Sequence, residues 1–154
     1  MAEEIERKFL VNGNAWRELA SGILFSQGYL STDKHRTVRV RIQHDQATLT
    51  IKGLTEGISR SEFEYPIPLA DAQMMLEKLA EQPIIKKYRY RIPVDDVVWE
   101  IDEFLGANQG LIMAEVELLS PDQVLHLPAW IGKEVSHDPR YYNNNLVKRP
   151  FSTW

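Results

Sequence analysis

The amino-acid sequence predicts an α+β protein in which antiparallel β-strands dominate and close into a barrel, with helices on the outside. Three observations lead to this fold class. Seven or more segments alternate with the two-residue period of a β-strand. Nearly all of them carry charged residues on one face and apolar residues on the other. A sheet of so many strands with the same amphipathic pattern tends to close into a barrel rather than stay flat. Helical periodicity is confined to short stretches between them.

Length and composition predict one domain and exclude several classes of protein. The chain has 154 residues, 44% hydrophobic and 26% charged, so we expect a single domain over 1–154. The net charge of −4 argues against a general nucleic-acid binder, and the lack of cysteine excludes disulfides, zinc-thiolate sites and a cysteine nucleophile. An acidic start and the lack of an apolar run of roughly 18 residues argue against a secretory signal and a membrane span. We expect a soluble, cytoplasmic protein.

The first half of the chain is predicted to form five strands and two helices. A strand over 4–10 is followed by a break and by apolar residues at helical spacing over 15–20, with Asn14 as a plausible N-cap. The i, i+3, i+4 stripe over 69–82 predicts an amphipathic helix that ends before a proline. Alternation predicts the remaining strands of this half, which are 23–30, 37–42, 47–52 and 59–66.

The second half adds three strands and two further helices. A basic strand over 84–92 is expected to pair with 97–102 through a tight turn, and an acidic strand follows over 113–118. Ser120-Pro121 and Asp138-Pro139 both have the form of a cap followed by a proline. These signals predict short helices over 120–127 and 140–147.

The first strand carries the pattern on which the functional prediction depends. Glu4, Glu6 and Lys8 share one face, because side chains two residues apart in a strand point the same way. Two carboxylates this close repel each other, and a divalent cation would remove that cost. The lysine could hold an anion that the metal also touches. A solvated edge strand of mixed charge is the alternative, but the same pattern recurs in nearly every later strand.

The charged faces of the strands, taken together, predict a polar lumen that needs a ligand. Buried charges require partners, so we expect a polyanion bound with a metal. Carboxylate oxygens, with no cysteine and only scattered histidines, favour Mg²⁺ or Mn²⁺ over zinc, and arginine and lysine suit a phosphate chain. The acids are Glu4, Glu6, Glu62, Glu64, Glu100, Asp102, Glu115 and Glu117, and the bases are Lys8, Arg39, Arg41, Lys52, Arg60, Lys87 and Arg89.

An ordered series of motifs matches a known family. Glu4-Ile5-Glu6-Arg7-Lys8 resembles the Glu-x-Glu-x-Lys signature of the CYTH superfamily, the triphosphate tunnel metalloenzymes. The resemblance continues through Gln27-Gly28-Tyr29-Leu30, Val38-Arg39-Val40-Arg41, Leu49-Thr50-Ile51-Lys52-Gly53, Arg60-Ser61-Glu62-Phe63-Glu64, Lys87-Tyr88-Arg89, Trp99-Glu100-Ile101-Asp102, Ala114-Glu115-Val116-Glu117-Leu118 and Gly132-Lys133-Glu134-Val135. It implies a closed eight-stranded antiparallel β-barrel, the triphosphate tunnel, with flanking helices.

The resemblance also implies roles for individual residues. The metal candidates are Glu4, Glu6, Glu115 and Glu117, and the substrate-binding candidates are Lys8, Arg39, Arg41, Lys52, Arg60, Lys87, Arg89 and Lys133. Glu62, Glu64, Glu100 and Asp102 are expected to orient the arginines and lysines rather than to touch metal. Lys8 is also a catalytic candidate. Tyr29 is another, either as a proton acceptor or as a structural tyrosine that hydrogen-bonds in the lumen.

The predicted function is divalent-metal-dependent hydrolysis of inorganic triphosphate, or of a small organic triphosphate such as thiamine triphosphate or a nucleotide. A class IV adenylate cyclase and a non-catalytic polyphosphate-binding module are the alternatives. Two intact paired-carboxylate strands favour catalysis over the binding module. The segment after Asp138 is expected either to plug one tunnel mouth or simply to pack on the barrel. A homodimer is compatible with this interpretation.

Overall fold

The computed structural model describes residues 2–154, which form nine β-strands and two α-helices. Every strand pairing is antiparallel. Short 3₁₀ turns lie at Ala15–Glu18, Gly106–Asn108, Pro139–Tyr141 and Phe151–Thr153. The strands are β1 Glu3–Val11, β2 Ile23–Ser31, β3 Arg36–Gln43, β4 Gln46–Gly53, β5 Ser59–Ile67, β6 Ile85–Val94, β7 Val97–Phe104, β8 Ile112–Glu117 and β9 Ile131–Glu134, and the helices are α1 Leu69–Lys78 and α2 Asn143–Lys148.

Eight of the strands close into a barrel, as predicted. Their order is β5-β4-β3-β2-β6-β7-β8-β1, and β1 pairs back onto β5. β1 is shared between partners along its length: Glu3–Ile5 pair with β5, while the C-terminal part of the strand pairs with β9 on one side and β8 on the other. β9 is therefore an extra strand outside the closed ring.

The apolar side of the barrel faces outward and is covered by the helices and loops. One cluster around Trp16, Trp99 and Trp130 packs edge-to-face outside β1, β7 and β8. Another places Leu146 of α2 against the other end of the barrel, and a third places Leu76 of α1 over β3 and β4. Because the hydrophobic contacts lie outside, the interior is left to charged residues. No helix in residues 2–154 has both the length and the hydropathy needed to cross a membrane.

Gly28 allows α1 to lie directly against β2. A Cβ at this position would lie 2.8 Å from the Ala80 Cβ and 2.9 Å from a Leu76 methyl group. We expect Gly28→Ala to destabilise the protein by about 1–3 kcal/mol, because a methyl group bound to the backbone of residue 80 cannot move aside. Chemical denaturation measures this change.

Gly53 provides the matched control for that substitution. It also lies in a strand, but a Cβ there would meet nothing closer than 3.5 Å. Gly53→Ala should change the free energy of unfolding by less than about 0.5 kcal/mol. Equal effects of the two substitutions would show that α1 does not press on β2.

The structure corrects several predicted helices. Residues 120–127 form a turn and irregular chain, in which the Gln123 side-chain oxygen accepts a hydrogen bond from the Leu119 amide. The predicted helix fails because Leu125 packs against the barrel while Val124 and Leu127 are exposed, which is too little apolar burial to stabilise a short helix. The helix predicted over 69–82 already ends at Lys78.

Three further differences concern the ends of elements. Asn14 does not cap through its side chain, whose oxygen instead accepts a hydrogen bond from Arg17 in a 3₁₀ turn. The last predicted helix, over 140–147, is divided at Tyr142 into a 3₁₀ turn and α2. β9 was not predicted as a strand, because only four residues pair there and they lack clean alternation.

Candidate active site

A cavity of about 290 Å³ fills the barrel. All eight strands of the ring contribute residues to its wall, as do four residues of the C-terminal segment. Asp102 of β7 is not among them. The predicted site residues that line it are Glu4, Glu6, Lys8, Tyr29, Arg39, Arg41, Lys52, Arg60, Glu62, Glu64, Lys87, Arg89, Glu100, Glu115 and Glu117.

Glu6 is the carboxylate with the least favourable surroundings in this cavity. Its closest cation is the Lys8 ammonium at 3.8 Å. Burial, together with the negative charges of Glu115 and Glu4, raises the pKa of Glu6 to about 8. An apo cavity therefore favours the protonated form of this side chain near neutral pH.

The two neighbouring carboxylates are engaged by lysines and arginines. Glu4 accepts hydrogen bonds from Lys52 at 2.9 and 3.0 Å and from Arg60 at 3.3 Å. Burial alone would raise the pKa of Glu4, but Lys52 and Arg60 outweigh it and lower that pKa to about 2. Glu115 accepts a hydrogen bond from Lys8 at 3.2 Å and lies 3.5 Å from Arg89. Burial would raise the pKa of Glu115, but these two cations outweigh it and hold that pKa well below its usual range.

The acidic residues are of the chemical type that binds a hard divalent cation, but those in the described part of the chain are not already arranged as a coordination site. Within residues 2–154, no three acidic, histidine or cysteine side chains already stand at metal-ligand spacing. The donors are carboxylate oxygens, which Mg²⁺ and Mn²⁺ prefer, and the repulsion that raises the pKa of Glu6 is what a cation beside it would relieve. Glu4 and Glu115 would share their oxygens between such a cation and their lysines.

Asp102, on β7, does not line the cavity but binds two cations that do. It is fully buried and accepts from Lys87 at 2.7 Å and from Arg89 at 2.7 and 2.8 Å. Burial and the charges of Arg89 and Arg41 lower the pKa of Lys87 to about 7, although Asp102 opposes this. This arrangement fits the predicted supporting role of Asp102.

Two arginines of the cavity wall are crowded by other cations, and one of them, Arg39, retains an unused hydrogen-bond donor. The Nε atom of Arg39 is buried and has no hydrogen-bond partner among the described residues, while its Nη2 atom donates to Thr50 at 3.2 Å. Burial, with the charges of Arg39 and Arg89, lowers the pKa of Arg41. Crowded guanidinium groups with free donors are the surroundings that phosphate oxygens favour.

Comparison with known proteins agrees with this geometry. The family model described as the CYTH domain matches residues 2–150 of the chain. This protein belongs to the CYTH family. An inorganic triphosphatase from Acetivibrio thermocellus is 50% identical over 154 residues, covering 100% of this chain and 99% of the relative. An inorganic triphosphatase from Nitrosomonas europaea is 38% identical over 149 residues, covering 94% of this chain and 96% of the relative.

Solved structures show the same CYTH fold. The crystal structure of an inorganic triphosphatase superposes with a TM-score of 0.66 at 34% identity, covering 93% of this chain and 96% of that one. Two structures described as candidate adenylate cyclases are 17% and 20% identical to this chain, a likeness that shows the fold alone.

The remaining predicted residues of this CYTH protein differ in their placement. Tyr29 is buried, lines the cavity and packs in the cluster that contains Ile85 and Met113. Lys133 lies on β9, outside the closed ring, and its side chain is exposed and does not line the cavity. The structure therefore gives Lys133 no place in the site that the resemblance implied.

Sequence reasoning missed three neutral polar residues that line the cavity of this CYTH protein or support the residues lining it. Gln27, Thr50 and Asn143 are buried, and each makes a hydrogen bond to a predicted site residue or to another of the three. Gln27 lies in phase with Tyr29 on β2, so its place in the alternation was a usable signal. Asn143 belongs to a C-terminal segment without such alternation.

Proposed function

We propose that this protein hydrolyses inorganic triphosphate inside its barrel, with Mg²⁺ or Mn²⁺ as the cofactor. The observation that carries the proposal is a cavity inside the closed strand ring, in which buried arginines and lysines face clustered carboxylates. The curated relatives named inorganic triphosphatase, at 50% and 38% identity over nearly full length, support the activity.

The basic residues of the cavity bind the phosphate chain in this proposal. Lys8, Lys52 and Arg60 lie among the carboxylates, where they can contact phosphate groups held near the metal. Arg39, Arg41, Lys87 and Arg89 form the more strongly positive part of the wall. Their charges stabilise the negative oxygens of the phosphoryl group as it is transferred to water.

The acidic residues have two roles in the proposal. Glu4, Glu6, Glu115 and Glu117 would hold the metal, which when bound supplies Lewis-acid polarisation of a phosphate oxygen. Glu62, Glu64 and Glu100 orient cations, at 3.2 Å from Lys52, 3.8 Å from Arg39 and 3.4 Å from Arg89. Tyr29 is proposed as the acceptor of the proton from the attacking water.

Phosphate release from inorganic triphosphate, ATP and thiamine triphosphate tests the proposal, each with Mg²⁺, Mn²⁺ or EDTA. We expect release from inorganic triphosphate that EDTA abolishes. Lys8→Ala should lower that release by about 10²–10³-fold, since it removes a buried cation from the phosphate site.

Arg7→Ala is the matched control for Lys8. Arg7 is the neighbouring cation on β1, but it faces outward and binds Glu134 at 2.7 Å. Its replacement should leave release within about twofold. Tight binding without turnover would favour a polyphosphate-binding module, and formation of cyclic AMP from ATP would favour a cyclase.

A further inference from the structure

A chain of buried hydrogen bonds links the cations of the cavity to the C-terminal segment. Asn143, the first residue of α2, is buried and contacts the barrel strands β2 and β6. Its side-chain oxygen accepts from Gln27 at 3.0 Å and from Lys87 at 2.9 Å. Gln27 in turn accepts from the Nε atom of Arg41 at 2.9 Å, and Lys87 donates to Asp102 at 2.7 Å.

The donors at the two ends of this chain fix the orientation of both amides. Arginine and protonated lysine side chains carry only donors. The oxygen of Gln27 must therefore face Arg41, which directs its amide nitrogen toward Asn143. The oxygen of Asn143 must likewise face Lys87.

This orientation leaves the amide nitrogen of Asn143 without a protein partner. The nitrogen lies on the opposite side of the carboxamide from the oxygen, and within residues 2–154 it donates no hydrogen bond to protein. Asn143 is only 8% exposed, and its side chain lines the cavity. Lys87 and the nitrogen of Gln27 offer no acceptor to it, so this donor is available to a ligand in the cavity.

We infer that Asn143 is a further substrate-binding residue, whose amide nitrogen donates to a phosphate oxygen of the bound polyanion. The inference rests on the proposed triphosphate substrate. The oxygen of Asn143 simultaneously keeps Lys87 and Gln27 in place. A residue outside the barrel ring thus joins the phosphate site without adding charge.

Binding of inorganic tripolyphosphate in EDTA, measured by calorimetry, tests the inference without turnover. Asn143→Ala should weaken the affinity by about tenfold or more, because a hydrogen bond to a charged group is lost. Asn145→Ala is the matched control, since Asn145 lies two residues further along α2 and donates to the Pro139 carbonyl oxygen outside the cavity. Its affinity should stay within about twofold of the wild type.

Side-chain amide NMR signals separate direct contact from mere support of Lys87. The Asn143 signals are assigned by their loss in Asn143→Ala, and in the wild type they should shift on addition of tripolyphosphate. Wild-type affinity in Asn143→Ala, or unshifted Asn143 signals in the wild type, would overturn the inference while leaving the proposed function intact. If the wild type does not bind tripolyphosphate in EDTA, this inference fails, and the metal-dependent phosphate-release assay then decides the proposed function separately.

Discussion

Glu6→Gln is expected to lose about 10²-fold or more of the metal-dependent phosphate release while remaining at least as stable as the wild type. Activity falls because a neutral amide replaces a carboxylate proposed to hold the metal. Stability does not fall, because the folded apo protein already favours the uncharged form of Glu6, whose pKa is raised to about 8 by burial and by Glu115 and Glu4.

The pH dependence of stability in EDTA follows from the same raised pKa. A carboxyl group whose pKa rises on folding stabilises the folded state while protonated, and this contribution is lost as the pH increases from about 4.5 to about 8. Glutamine cannot lose a proton. Over that window the stability of Glu6→Gln should therefore increase relative to the wild type.

Thermal unfolding at several pH values, beside the phosphate-release assay, checks both parts. Glu3→Gln is a suitable control, because Glu3 is an exposed neighbour on the same strand. It should leave both activity and the pH dependence nearly unchanged. A Glu6→Gln protein that retains wild-type release would remove Glu6 from the proposed metal site.

Asp102→Ala is expected to destabilise the protein by about 3–5 kcal/mol, because it leaves two buried cations without their shared counter-charge. Lys87 and Arg89 both bind this carboxylate, and Arg41 adds further positive charge nearby. Tripolyphosphate should restore part of the lost stability by supplying negative charge to the same cations. Denaturant unfolding with and without tripolyphosphate measures both effects.

Glu103→Ala serves as the control on the same strand. Glu103 pairs with Arg17 at 2.9 Å on the outside of the barrel, where both side chains are partly exposed. Its loss should cost only about 0.2–1 kcal/mol. If Asp102→Ala costs no more than this, water reaches the cations behind the cavity wall and the interior is not a closed charged core.

The strands could be predicted from the sequence because the barrel has its charged face inside and its apolar face outside. Along β3, for example, Arg39 and Arg41 alternate with Val40 and Ile42. This period of two is the same whichever strands pair with β3. Alternation does not reveal which distant strands meet. The resemblance to the CYTH family implied a closed barrel of eight strands, which the structure confirms, but the pairing of β1 with β5 and β8 is seen only in the structure.

The charged residues of the candidate site could be predicted for the same reason, whereas its neutral residues could not. Lys8 and Arg89 follow from their phase on a strand. Asn143 reaches the cavity only because α2 folds back onto the barrel, and local sequence carries no sign of that contact. Lys133 was included by analogy alone, and it lies on β9, which pairs with the C-terminal end of β1 outside the closed ring.

The division of β1 between partners has a consequence for how the cavity comes into being. β1 precedes in the chain all the strands with which it pairs. Lys8 on β1 binds Glu115, which lies 107 positions further along the chain. Loop closure over such distances is slow relative to forming a local hairpin. Hairpins such as β3–β4 and β6–β7 can assemble early, while the edges of β1 and β5 stay open until the final seam forms. We expect the pairing that closes the barrel to be also the step that encloses the proposed phosphate site.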